Sequence, residues 1–381
     1  MLVGDMRSTQ SRLTEFEYSK TMRVFTPPGI FVEAAKYPTL WTGVLASTEP
    51  SEHLSMHDYP GAWRGLGLET ILMMREQLYR FVLPIDARLK EPSPDLELIQ
   101  SIALSVSPVA LSVEVDSLPP RNLQIMGTQL PYSPQVPAQK MELISKPEIS
   151  QVAQKVTEDD IPSSDSIWKL VEYDYSLDQI TRLMSVGLIG KMNSRRLIPT
   201  RAAYKAVIDT YINRAIVELL DKGEKANSAI HSATLLGNTV VVLIQPGEPK
   251  VDYIKIEQFH GNWKKTHSFD DKSIQDSDAK VSIYADQARY PIFKHMVQNS
   301  MRAHVTVFHL NSVPRSNALG PWLARAVIED ALESQPLELE DESNALLVLE
   351  AILKPNLNLW AENTPLLKRV GPKMKQLVLN H

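Results

Sequence analysis

In "VALSVEV", Val109, Leu111, Val113 and Val115 alternate with Ala110, Ser112 and Glu114. A period of two predicts a strand with one buried face. The preceding "DLELIQSIALS" has the wider apolar spacing of a short helix. In "LGLETILMMREQLYRFVL", Leu68, Ile71, Leu72, Arg75, Leu78, Tyr79 and Val82 recur at three- and four-residue steps. That spacing predicts one helix through the whole stretch. Upstream, "GIFVEAAKYPTLWTGVL" is apolar but broken by Gly29, Pro38 and Gly43, which predicts strand and turn.

From residue 164 onward the pattern predicts helix, short helix, turn, strand and helix. "GNTVVVLIQPG" and "KVDYIKIEQFHGNW" predict an antiparallel hairpin around Pro246 and Gly247. "THSFDDKSIQDSDAK" is polar and predicts a loop. It is followed by a helix at "ARYPIFKHMVQNSM", a strand at "AHVTVFHL" and a helix at "GPWLARAVIEDALES" with Pro321 near its start. There is no internal repeat. Pro119, Pro120, Pro131, Pro134 and Pro137 break the middle of the chain, because proline removes a backbone donor and restricts its neighbour.

The expected fold class is therefore mixed α/β (α+β) in two modules, the second with a winged-helix-like segment. The expected organisation is a mobile arm at 1–24, an N-terminal α/β module at 25–117, a proline-rich connection at 118–140 and a C-terminal α/β module at 141–381. A length of 381 residues suits more than one module.

Composition narrows the function classes. With 43% hydrophobic and 22% charged residues the chain is ordinary for a globular protein, and its longest apolar run, "VVVLI", is too short to span a bilayer. "MLVGDMRSTQSR" lacks the pattern of a secretion signal, so a cytoplasmic location is expected. The absence of cysteine excludes thiolate metal sites, disulfides and a cysteine nucleophile. A net charge of -5 means that nucleic-acid contact would need a local patch.

No metal site, cofactor or catalytic constellation is expected. None of the histidines falls in H-E-x-x-H, and the phosphate-cradle and nucleophile-elbow motifs are missing. His53 and His57 are four apart, yet "SEHLSMHDYPG" predicts a loop, in which solvated histidines outweigh a metal site. The carboxylates of "LELEDESNALLVLE" suit a solvated face or loop.

A basic block stands out. Lys191, Arg195, Arg196, Arg201, Lys205 and Arg214 are opposed only by Asp209, a local excess of five positive charges. Within 176–215 the predicted order is helix "LDQITRLM", a turn at Gly187 and Gly190, basic "KMNSRR", then strand-like "LIPT". Winged-helix modules present a groove-reading helix and a phosphate-touching wing in such an order. The alternative is a solvated helix–turn–strand connection. The candidate nucleic-acid contacts are Lys191, Arg195, Arg196 and Arg201.

A second candidate is "QSRLTEFEY". Gln10, Leu13 and Phe16 match the glutamine, aliphatic and aromatic spacing of the clamp-binding peptide called the PIP box, although Glu17 stands where a second aromatic is wanted and Tyr18 comes one place later. In that motif a 3₁₀ turn gathers the apolar side chains into one plug. Such motifs work from segments that order on a partner. The alternative is an amphipathic first helix docked on its own body through Leu13 and Phe16.

At "ITRLMSVGLIGKMNSRRLIPTR" the chain resembles the archaeal Nre family of DNA-repair proteins, whose members carry a similar "LLSVGLLG…RRLVPTR" segment. "IFVEAAKYPTLWTGVL", "LGLETILMMREQLYR" and "ALSVSPVALSVEV" are similar to successive segments of the family. "QNSMRAHVTVFHLNSVPRSNALGPWLARAVIEDAL" resembles its end segment, which includes "PLGVWLVREAV". The resemblance implies DNA-damage repair and engagement of the sliding clamp PCNA through a PIP motif. Two departures matter. The four-cysteine zinc module of some members is missing, and "GPKMKQLVLNH" offers no clamp motif at the C-terminal position usual in the family. Gln10, Leu13, Phe16 and Tyr18 then become the candidate clamp contacts. The expected function is a repair factor acting at the clamp, touching DNA through the basic patch, with other repair proteins as further partners and no membrane. The alternatives are a metal-dependent nuclease or nucleotide-processing enzyme, and a scaffold that does not bind DNA.

Overall fold

The computed structural model describes residues 20–88, 91–125, 130–259, 262–269, 279–339, 348–349 and 351–353. The first of two mixed sheets contains β1 (Lys20–Thr26), β2 (Ile30–Ala34), β3 (Thr39–Ala46), β4 (Tyr79–Asp86), β5 (Val109–Val115) and β6 (Gln135–Leu143). Its order is β1-β5-β6-β4-β3-β2, antiparallel except where β4 runs parallel to β6. Two helices interrupt it: α1 (Leu68–Glu76) and α2 (Pro94–Ala103). Ser93 caps α2 by accepting from the Leu96 amide, and Pro94 occupies the first turn, where no amide donor is needed.

A helical layer follows: α3 (Gln151–Glu158), α4 (Ser163–Glu172), α5 (Leu177–Ser185) and the long α6 (Thr200–Lys222). α5 begins with a reciprocal capping box between Ser176 and Gln179, which fixes its first turn. Val207, Ile208, Tyr211, Ile212, Ala215 and Leu219 form the buried stripe of α6.

The second sheet contains β7 (Glu224–Lys225), β8 (Ala229–Leu235), β9 (Asn238–Pro246), β10 (Lys250–Phe259), β11 (Asn262–Phe269), β12 (Met301–Asn311) and β13 (Leu337–Glu338). Its order is β11-β10-β12-β9-β8-β13, with β7 beside β12. α7 (Ala279–Gln298) crosses over before β12, and α8 (Pro321–Glu333) follows it. Both faces of this sheet are covered. Val240, Val242 and Ile244 join the main core, whereas Val241 and Leu243 join a smaller cluster with Ile254, Phe308, Leu349 and Leu353. That is why "VVVLI" reads as a continuous apolar run rather than an alternation. The main core is continuous from Val24 in the first sheet, through α2 to α7, to Ala331 in α8. No helix among the described residues is long and apolar enough to cross a membrane.

The mixed α/β class is as the sequence predicted, as are the β2–β3 turn, α2, β5, β12 and α8 with Pro321 in its first turn. Four expectations need correction. The helix predicted through Val82 ends at Glu76, and Tyr79 to Asp86 becomes β4, because the aromatic and β-branched "YRFVLPI" suits a sheet better than a helix. Residues 20–24, expected in a mobile arm, belong to β1, paired with β5. The proline-rich stretch 118–140 ends inside β6, where Pro137 lies next to Val82 on the parallel partner.

The fourth concerns the hairpin around Pro246 and Gly247. β9 and β10 are not paired, because β12 lies between them, antiparallel to one and parallel to the other. β9 instead pairs with β8, joined through Leu236 and Gly237, whose φ values of 49° and 75° are those a two-residue primed turn requires, and β10 pairs antiparallel with β11. A Cβ at Gly237 would also meet Val313 Cγ2 at 2.3 Å. Gly247 does not adopt a positive φ.

Candidate functional site

The basic block is divided between the α5–α6 connection, with Lys191, Arg195 and Arg196, and α6, with Arg201, Lys205 and Arg214, and no winged helix is formed there. After α5 come Gly187 and Gly190, both with positive φ, a 3₁₀ turn at Met192–Ser194, and an extended run to Pro199. No strand occurs between 176 and 215. "LIPT" does not become a strand because Leu197 is buried, the Ile198 amide donates to the Ser185 carbonyl, and Pro199 starts α6. The Asp160 carboxylate accepts from the Met192 amide at 2.7 Å and pins the turn.

The candidate cations separate by environment. Lys191, Arg196 and Arg201 are exposed, with no ion-pair or hydrogen-bond partner for their side chains among the described residues. Arg195 is engaged instead. Its guanidinium donates to the Gly190 carbonyl at 2.8 Å and the Asp159 carbonyl at 3.1 Å, and burial lowers its pKa. Lys205 pairs with Asp209 and Asp286, and Arg214 pairs with Asp165 while lying over the Trp168 ring. The block therefore offers three free charges, not six.

At the other end of α5 lies a cavity of about 410 Å³. Its floor comes from the α5 start at Ser176, Leu177 and Asp178. Its walls come from α7, with Tyr290, Lys294 and His295, and from α8, with Trp322, Arg325 and Glu329. Tyr59, Pro60, Gly61 and Arg64, from 3₁₀ turns between β3 and α1, close it from the side of the first sheet. Trp63 and Trp322 meet edge to face at 5.0 Å and seal that junction.

Charges in this cleft are tightly partnered. Arg325 donates to Asp178 at 2.6 Å and to the Tyr204 hydroxyl at 2.9 Å; the Gln287 amide also donates to that hydroxyl. Burial alone would lower the Arg325 pKa, but Asp178, Tyr204 and Glu329 together raise it. Arg64 gathers Glu329, Asp330 and Glu333 at 3.1, 2.8 and 2.9 Å. Burial raises Glu329 against the pull of Arg325 and Arg64. His295 is pushed down to about 4 by burial and by the adjacent His231 ring, so its imidazole is neutral at pH 7. Two groups lack such partners. The Tyr290 hydroxyl is buried without a hydrogen bond, and Lys294 reaches only the exposed Asp174, at 3.8 Å.

His53 is exposed, but His57 is 4% exposed inside a 3₁₀ turn, and burial lowers its pKa, so it is not a solvated histidine. Among the described residues no group of three or more His, Asp or Glu is placed to hold a metal ion. Gln10, Leu13, Phe16 and Tyr18 lie outside the described residues.

The profile "Archaeal Nre, N-terminal" matches residues 2–264, more than half of the chain. The chain belongs to the archaeal Nre family. Its curated Nre relatives include two proteins named DNA repair protein NreA. The one from Archaeoglobus fulgidus is 23% identical over 89% of each chain, and the one from Haloferax volcanii is 21% identical over 91% of this chain and 86% of its own. A protein named DNA repair protein NreB from Archaeoglobus fulgidus is 21% identical over 90% of this chain and 88% of its own. No solved structure matches the chain.

The "HLNSVPRSNALGPW" segment of this Nre chain holds a buried polar network that its sequence does not advertise. His309 Nε2 lies 2.7 Å from Asn238 Oδ1, so that nitrogen carries the proton, and Nδ1 accepts from the Tyr253 hydroxyl at 2.7 Å. Asn238 donates onward to Ser316 at 2.8 Å. Lys255, 2% exposed, pairs with Glu257 at 2.6 Å and shares Asn317 Oδ1 with Asn311. Burial lowers the Lys255 pKa against the pull of Glu257. These bonds fix the turn Pro314–Leu319, from which α8 carries Trp322, Arg325 and Glu329 to the cleft. Alternating His, Asn and Lys in predicted strands was the available signal; the partners are too distant in sequence to be paired by inspection.

Proposed function

We propose that this Nre protein is a DNA-repair factor that holds DNA phosphates with Lys191, Arg196 and Arg201 and is brought to its substrate by the sliding clamp. The repair role is supported by the names of its relatives. The observation that supports DNA contact is three exposed cations without partners among the described residues, two on the α5–α6 connection and one in the first turn of α6, in an acidic chain. Phosphates attract such charges because bound counterions are released, which makes affinity fall steeply with salt. Arg195 supports the connection by holding two carbonyls rather than by meeting phosphate.

Clamp contact is assigned to Gln10, Leu13 and Phe16, with Tyr18 as an adjoining apolar contact, on their motif spacing. Calorimetric titration with the cognate clamp is expected to show binding by the wild type that is lost on combining Leu13→Ala with Phe16→Ala. Equal binding by both would remove the clamp from the reading. For DNA, the Lys191→Ala, Arg196→Ala, Arg201→Ala triple variant should weaken binding and flatten its salt dependence by about three phosphate contacts. An unchanged slope would remove the patch.

A further inference from the structure

The cleft at the start of α5 is larger and less satisfied than its structural role requires. At about 410 Å³ it lies within the range of small-molecule sites, roughly 300–1,000 Å³. It is lined by the half-exposed Tyr59 ring and the largely buried Trp322 ring, a buried hydroxyl with no hydrogen-bond partner at Tyr290, and carboxylates at Asp178 and Glu329. Those carboxylates are held in place by Arg325 and Arg64, which also offset their charge. Lys294 has only a long contact to an exposed aspartate.

We propose that this cleft receives a nucleobase, stacked against Tyr59 and Trp322 and hydrogen-bonded along its edge by the Tyr290 hydroxyl and the Glu329 and Asp178 carboxylates. Carboxylates accept and do not donate when ionised, so they select the amino-bearing bases over thymine. A planar heteroaromatic with donors on its rim fits walls that combine aromatic rings with polar and charged side chains. The cluster of carboxylates disfavours a phosphate deep in the cavity, which leaves Lys294 to meet a phosphate. The base could come from a free nucleoside or from a DNA strand with one base turned out of the stack; the second source rests on the DNA-repair reading.

Two arms separate these sources in the full-length protein. In the first, calorimetric titration with adenosine is expected to show binding about tenfold or more tighter than with thymidine. Tyr290→Phe, which keeps the ring against Tyr211, and Tyr59→Ala at an exposed position should each weaken adenosine binding. In the second, a DNA duplex carrying 2-aminopurine is bound at low salt and its fluorescence followed. A change in emission with wild type that is lost in Tyr59→Ala, with DNA affinity retained, supports extrusion of a base into the cleft. Adenosine binding without a fluorescence change on bound DNA supports the pocket and overturns the DNA source. No adenosine binding and no fluorescence change on bound DNA overturn the proposal. Failure to bind DNA at all overturns the phosphate-contact reading, and the adenosine arm then decides the pocket independently.

Discussion

Arg325, buried in α8, donates to Asp178 in the first turn of α5 at 2.6 Å, across 147 positions of sequence. This contact holds the second sheet's last helix against the helical layer and shapes one wall of the cleft. Removing one partner of a buried pair typically costs about 3–5 kcal/mol. The Asp178 side chain is 37% exposed, which reduces that figure. Arg325→Leu is expected to lower stability by roughly 2–3 kcal/mol, read from the midpoint of urea unfolding, with little change in its slope.

Arg195 and Arg196 are adjacent but should behave differently. Arg195→Ala loses two bonds to backbone carbonyls and should cost roughly 1–2 kcal/mol in chemical unfolding. Arg196→Ala should leave the unfolding midpoint unchanged while reducing the salt slope of DNA binding by about 1. Matching behaviour of the two variants would contradict the separation of roles.

His295 gives a pH dependence with a definite sign. Its folded value of about 4 lies below the ordinary 6.5, so the native state stays unprotonated where the unfolded chain takes up a proton. Its contribution is present above pH 6.5 and lost as pH falls toward 4. Asp286, pushed up to about 6 by burial, works in the opposite sense over much of the same window. The test is therefore a difference: His295→Gln should lose less stability than wild type between pH 6.5 and 4.5, measured by denaturant unfolding at each pH.

Asn238 links His309 to Ser316 and thereby β9 to the turn before α8. Asn238→Ala leaves a buried imidazole N–H without its acceptor and should cost roughly 2–3 kcal/mol. Hydrogen exchange should report faster opening at residues 312–319 than in β5, and uniform protection would argue against the linkage.

Local pattern revealed the elements whose environment matches their neighbours in sequence. Val109 to Val115 alternates because only one of its residue sets faces the main core. Pro321 marks the α8 start because its missing amide costs nothing there. The signal failed where distant segments decide. Tyr79 and Val82 fit a helical spacing, yet the open edges of β3 and β6 claim them for a sheet. Arg195 resembles Arg196 in sequence, and only the Asp159 and Gly190 carbonyls distinguish it. The cleft was invisible because its lining comes from four separate regions of the chain. His57, expected in a solvated loop, is packed inside the fold, which its spacing of four from His53 could not reveal.

The placement of β12 between β9 and β10 imposes an order on assembly. A growing polypeptide makes both flanking strands, then β11 and α7, before the segment that joins them emerges. Until then their facing edges carry unpaired amides and carbonyls, open to wrong partners. Chains halted before Met301 should therefore be prone to self-association, and release from that hazard comes only when the final central strand slots in.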